Sequence, residues 1–178
     1  NKVYDGNTSV TGVNAELVGV IAPDNVSLIG GTADFDTKDV GTGKLVTLTG
    51  AGLTGTESDN YSLSLLPITT TADITQATAT ITVAGYSGIY DAAAHGATLV
   101  SATGANGEDL IGSVILGGET FTDAPGGTAT WSFSNANYGV QNGTAAIVIA
   151  KADATISVSG YTGVYNAAAH GATGSATG

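Results

Sequence analysis

Along much of this chain apolar and polar residues alternate with a period of two, and they rarely take the three-and-four spacing of a helix face. Tyr61-Ser62-Leu63-Ser64-Leu65 is the clearest case, with Tyr61, Leu63 and Leu65 on one face and the serines on the other. Thr80–Val83 turns Ile81 and Val83 inward, and Thr130–Ser134 sets Trp131 and Phe133 opposite a row of hydroxyls. Lys44–Thr49, bounded by Gly43 and Gly50, reads as a strand, as do Asp34–Asp36, Ala145–Ile149 and Thr155–Ser159. Val26–Ile29 runs into Gly30-Gly31, and Pro23-Asp24-Asn25 marks a turn after the apolar run Ala15–Ile21. Leu110–Leu116, apolar apart from Gly112 and Ser113, reads as one well-buried strand. Many short strands with glycine and asparagine turns between them predict an all-β fold. Small β-sandwich (Ig-like) modules are the first reading. β-Grasp-like modules are the alternative, with Ala92-Ala93-Ala94 as a short helical turn.

The pattern also repeats. Tyr86–Thr98 (YSGIYDAAAHGAT) returns 75 residues later as Tyr161–Thr173 (YTGVYNAAAHGAT), and Ile74 maps onto Ile149 at the same offset. Lys2-Val3-Tyr4-Asp5-Gly6-Asn7 is a shorter echo at the start. The chain therefore divides into 1–76, 77–151 and 152–178, the last holding only the first strands of a third, incomplete module. Asn60-Tyr61 and Asn137-Tyr138 occupy corresponding places, which makes the first two modules variants of one fold. Ile74–Val83 and Ala146–Val158 cross the junctions without glycine or proline, as strand running into strand rather than as flexible linker. A strand of about 10 residues spans roughly 33 Å, so a stiff rod of stacked modules is expected. Three residues precede Tyr4, whereas thirteen (Ala77–Ile89) precede Tyr90. The first module thus lacks its leading strand, and a surplus strand lies near 154–165. The segment is either a slice of a longer array or a subunit that donates this strand head-to-tail to the next copy.

Composition narrows the function. Fifteen acidic residues against four lysines and no arginine give a net charge of −11, which argues against nucleic-acid binding. There is no cysteine, so disulfides, thiolate catalysis and Cys-type zinc sites are excluded together. No apolar run approaches the roughly 20 residues of a membrane span, and direct membrane insertion is not expected.

Candidate chemistry is sparse. His95 pairs by spacing with Asp91 as a catalytic or metal dyad, but the equivalent partner of His170 is Asn166. A base oriented by a carboxylate would not survive that exchange, so both histidines read as structural. Gly41-Thr42-Gly43-Lys44 lacks Walker spacing and leads into a strand, which favours a hairpin or turn. Asp34, Asp36 and Asp39, with Glu57 and Asp59, and with Glu108 and Asp109, are the calcium candidates. No Asp-x-Asp-x-Asp-Gly loop joins them, and a solvated acidic face is the competing reading. Trp131, the sole tryptophan, reads as a core anchor rather than a sugar platform. An isopeptide staple through Lys44 or Lys151 is conceivable without sequence support. No catalytic, cofactor or metal residue is assigned.

Lys2–Thr8, Phe35–Lys44 and Asn60–Leu63 together resemble the YDG-type repeat of large bacterial surface adhesins, and 77–151 resembles the related MBG modules. Tyr90-Asp91-Ala92 and Tyr165-Asn166-Ala167 depart from Tyr-Asp-Gly. The resemblance implies an extracellular, cell-surface, stalk-like or filamentous protein with no enzyme activity. The expected function is a stiff spacer whose partners are neighbouring repeat modules or copies of the same chain. A module binding host glycans or mucin is the alternative.

Overall fold

The computed structural model describes residues 1–13, 15–64 and 67–178. Its strands in chain order are β1 (Lys2–Val3), β2 (Ser9–Val10), β3 (Ser27–Phe35), β4 (Gly41–Thr54), β5 (Ile68–Thr75), β6 (Thr80–Ala84), β7 (Tyr86–Ile89) and β8 (His95–Gly96). They continue as β9 (Thr98–Thr103), β10 (Val114–Leu116), β11 (Thr120–Phe121), β12 (Gly126–Asn135), β13 (Tyr138–Ala150), β14 (Thr155–Ser159) and β15 (Thr173–Thr177). The helical elements among the described residues are 3-10 turns at Ser58–Asn60, Ala105–Gly107 and Ile111–Ser113, so the fold is all-β. The strands form a five-stranded sheet ordered β1-β5-β4-β3-β2 and a four-stranded sheet ordered β10-β12-β13-β7. The pairs β6-β9, β8-β11 and β14-β15 stand apart from both. By contacts the chain groups into two compact units, one of 1–82, 101–115 and 132–141, the other of 83–100, 116–131 and 142–178. Residues 77–151 contribute to both.

The first unit is built on the antiparallel hairpin β3–β4, registered from Ser27↔Thr54 to Phe35↔Val46. Alternation turns Ala33, Phe35, Val46, Leu48 and Ile74 into the interior, while Asp34 and Thr47 between them are half-buried. β5 pairs antiparallel with β4 and, at its end, parallel with β1 through Lys2↔Ile74 and Val3↔Thr75. The same unit buries Ala102, Leu110, Phe133 and Tyr138. Each large side chain so buried contributes about 1.5–3 kcal/mol.

The second unit centres on the C-terminal half of β13, where Ala145, Ile147 and Ile149 are buried and the residues between them are exposed. β7 runs parallel beside it, registered from Ile147↔Tyr86 to Ala150↔Ile89. Tyr86, Ala97, Phe121 and Ala124 pack on the cluster of Ala129, Ile147 and Ile149. β14 pairs with β15 of its own chain, Thr155↔Thr177 through Ser159↔Thr173, and every residue of both strands is exposed. The segment expected as a strand donor is thus half of a hairpin in the single chain.

Three expectations need correction. Leu110–Leu116 is not one buried strand: Asp109 Oδ1 accepts the Ile111 N–H at 2.9 Å and Leu110 O accepts the Ser113 N–H, winding Ile111–Ser113 into a 3-10 turn. Only Leu110 is buried, and the strand shrinks to Val114–Leu116. Tyr61–Ser64 keeps its inward-outward alternation but joins no ladder, and the Tyr61 hydroxyl donates to Asp24; Leu65 lies outside the described residues. Ala92-Ala93-Ala94 forms no helical turn, since Ala92 is left-handed at φ 65°.

Candidate functional site: the Tyr-Asp-Gly corner and a tyrosine–glutamate clasp

The motif that sets the repeat is a corner, built three times. Tyr4 and Tyr90 enter it at one register: the Tyr4 N–H donates to Thr75 O and the Tyr90 N–H to Ala150 O, both at 2.8 Å. The next residue closes an Asx turn, with Asp5, Asp91 and Asn166 Oδ1 accepting from Asn7, Ala93 and Ala168 N at 3.1, 2.9 and 3.0 Å. The third residue is left-handed in all copies, at φ 77° for Gly6, 65° for Ala92 and 60° for Ala167. The departure from Tyr-Asp-Gly therefore changes the side chain but keeps the backbone, at a strain of about 1–2 kcal/mol.

What holds the turn differs between copies. In the first, Lys2 Nζ sits 2.7 Å from Asp5 Oδ1, also donates to Asn7 O and Ser9 O, and lies 5.7 Å above the Phe35 ring. Burial pushes the Asp5 carboxyl up, but the bonds from Lys2 and Asn7 outweigh it and hold the group below its ordinary value. In the second, the His95 ring stacks on Tyr86 with centroids 3.6 Å apart, and its Nε2 meets Asp91 Oδ1 at 3.0 Å. The third reproduces this with Tyr161 on His170 at 3.6 Å and Nε2 to Asn166 Oδ1 at 2.8 Å. The Tyr86 and Tyr161 rings fold over Gly88 and Gly163, where any Cβ would collide with them. The hydrogen bond to His95 holds the Asp91 carboxyl below its ordinary value. An amide oxygen serves equally at Asn166, so the geometry requires an acceptor, not a charge, and fixes Nε2 as the protonated nitrogen of His170. The sequence reading of both histidines as turn elements fits this arrangement.

The second arrangement lies within the first unit and was not legible beforehand. Gly104–Glu108 forms a tight turn, with Asn106 left-handed at φ 53°, and aims the Glu108 carboxylate at two tyrosines. Tyr4 Oη donates to Oε1 at 2.6 Å and Tyr138 Oη to Oε2 at 2.5 Å. Tyr138 Oη also accepts the Ala105 N–H at 2.7 Å. The two rings meet edge to face at 5.4 Å, with Tyr4 4% and Tyr138 1% exposed. Gly6 admits the approach: a Cβ there would come within 3.2 Å of Asn106 Nδ2, which donates to Asp5 O. Around it, Asn137 accepts the Val40 N–H at 3.0 Å and donates to Asp39 at 2.9 Å, and Lys38 Nζ stands 3.9 Å from Glu108. The hydrogen bonds from Tyr138 and then Tyr4 hold the Glu108 carboxyl below its ordinary value. The bond to Glu108, then burial, push Tyr4 up to about 12, and burial, then Glu108, push Tyr138 up.

The correspondence of Asn60-Tyr61 with Asn137-Tyr138 holds at the tyrosine hydroxyl. Tyr61 Oη donates to Asp24 at 2.7 Å and accepts the Ile21 N–H at 3.0 Å, as Tyr138 does with Glu108 and Ala105. Both loops close alike, Asp24 N to Ile21 O and Glu108 N to Ala105 O. In the sequence Glu108 reads only as a calcium candidate; its position relative to Tyr4, 104 residues away, carries no local signal.

Four of the remaining candidates are individually engaged by protein donors. Asp34 accepts from Thr8, Asp36 lies 3.3 Å from Lys44, Glu57 caps the Asn25 N–H and Asp109 caps Ile111, while Asp59 sits in the first 3-10 turn. Among the described residues no three potential metal ligands cluster. The Gly43 N–H donates to Asp73 at 2.8 Å, within a bulge between Gly41 and Lys44 in the β4–β5 pairing. Trp131 is half-buried over Gly143, Phe133 is the fully buried member of that pair, and Lys151 is exposed. Two grooves flank β3, of about 650 Å³ beside Val10, Val13 and Leu48 and about 200 Å³ beside Val18, Leu53 and Tyr61.

Residues 1–72 match the family model of the YDG domain, and this segment is a YDG-type module. No curated protein and no solved structure matches the chain. Among the described residues no helix is long and apolar enough to cross a membrane.

Proposed function

We propose that the chain is a segment of a tandem β-repeat array that serves as a stiff, non-enzymatic spacer in an extracellular bacterial adhesin or surface filament, with 77–151 an MBG-type module. One observation carries this reading: the clasp of Tyr4, Glu108 and Tyr138. It joins the opening corner of the YDG module to side chains of the following repeat through buried hydroxyls and a carboxylate. A linker that bends freely gives two neighbouring repeats no reason to bury shared polar groups. The composition supports it as well, since a net charge of −11 keeps a long polar array soluble and self-repelling.

A glycan and mucin array probed with the whole chain tests the role. The spacer reading expects no reproducible sugar binding. Saturable binding abolished by substitutions in either groove beside β3 would replace it with the adhesive-module reading.

A further inference from the structure

Tyr4 has a counterpart that is far more exposed. Tyr90 takes the same place at the same register, with its N–H on the last residue of the closing strand and its carbonyl side entering the same Asx turn. Yet Tyr4 is 4% exposed and Tyr90 is 42% exposed. On the other side of the joint, Tyr61 and Asp24 reproduce the Tyr138–Glu108 pair, hydroxyl to carboxylate and backbone N–H to hydroxyl, and both are half-buried rather than buried. The molecule therefore holds one closed clasp and separate open halves of the same design.

We infer that Tyr90 is the docking residue for the acidic turn of a following repeat of the 77–151 type, whose glutamate would engage its hydroxyl as Glu108 engages Tyr4. The occupant is argued from the chain itself. Residues after 152 already repeat the path that leads to that turn: β14–β15 pair as β6–β9 do, and Tyr161 stacks on His170 as Tyr86 does on His95. At the 75-residue spacing Gly178 stands where Thr103 stands, one residue before the Gly104–Glu108 turn. Chemistry narrows the partner further. Covered as Tyr4 is, the Tyr90 hydroxyl would need an acceptor in place of water, which the incoming carboxylate supplies, and the Tyr138-equivalent ring of the incoming repeat would meet Tyr90 edge to face. The inference rests on reading the chain as stacked repeats and is independent of whether the stack serves as a spacer.

The test extends the whole chain by grafting the sequence of residues 104–151 after Gly178, which completes a third repeat. Tyr90→Phe is then compared in the original and the extended chain by urea unfolding. In the extended chain Y90F is expected to lower the folded-to-unfolded ratio about tenfold or more, in keeping with a hydrogen bond to a charged group. In the original chain it is expected to change little. Replacing the grafted glutamate by alanine should remove most of the effect of Y90F, a coupling that mere misfolding of the graft would not produce. Equal effects of Y90F in both chains overturn the inference. An extended chain that scatters as a flexible string while retaining the coupling would instead count against the spacer reading alone.

Discussion

Replacing Glu108 with alanine removes the acceptor of two buried hydroxyls at once. Tyr4 and Tyr138 donate at 2.6 and 2.5 Å, and neither ring has room to turn its hydroxyl toward water. Hydrogen bonds to a charged acceptor are worth about 1.5–3 kcal/mol each, and leaving a buried hydroxyl unpaired costs a similar amount. Two such bonds set an upper bound of roughly 6 kcal/mol. The Glu108 side chain is itself 29% exposed, so water competes for it. Tyr138 Oη also keeps the Ala105 N–H as a partner. We therefore expect a loss of about 2–4 kcal/mol, large against the 5–15 kcal/mol of an ordinary domain. Urea unfolding measures it, and amide exchange locates it. Protection should fall around Tyr4, Ala105 and Tyr138 and remain at Ile147 and Ile149. Glu108→Gln, which keeps one acceptor oxygen, should cost less than Glu108→Ala. A loss below about 0.5 kcal/mol, within the range of an ordinary surface substitution, would refute the reasoning.

Other outcomes follow from the same geometry. The Tyr4 hydroxyl is pushed up to about 12 from 10.0, so its contribution is intact below pH 10 and is lost as pH rises from 10 to 12; the unfolding midpoint should drop across that window, and less so in Tyr4→Phe. Glu108, held below 4.5, contributes above that pH and loses its contribution as acid carries the medium down through its lowered value, a decline that Glu108→Gln should blunt. Asp91→Asn should leave stability within about 0.5 kcal/mol, because Asn166 already performs the same bonds in the next copy; a larger loss would show that the turn needs the charge. Ala92→Gly should stabilise by roughly 0.5–1 kcal/mol, the relief of left-handed strain less the extra freedom of the unfolded chain, and a destabilised variant would contradict the φ of 65°.

How much of this was legible depends on the range of the interactions. Strand faces were readable because a period of two is local: Ile81 and Val83, Phe133, and the buried row Ala145, Ile147 and Ile149 fall as alternation placed them. The corner was readable as a structural turn because its two copies exchange aspartate for asparagine while keeping alanines and glycine. Tyr61–Ser64 shows the limit, since alternation reports which way side chains point and not whether the backbone finds a ladder partner. At Leu110–Leu116 composition misled: a continuous apolar run suggested burial, but the Asp109 side chain competes for the backbone and winds a turn. The clasp itself joins residues far apart in sequence, and a lone glutamate in an acidic chain offers no period or spacing to mark it.

A stiff, clasped array is tested most directly by small-angle scattering of the whole chain beside its Glu108→Ala variant. The variant should require a broader ensemble than the wild type, one in which the Tyr4 corner comes free of the Glu108 turn. Wild-type scattering that already demands such an ensemble, unchanged by loss of Glu108, would contradict the role of the clasp and the spacer built on it.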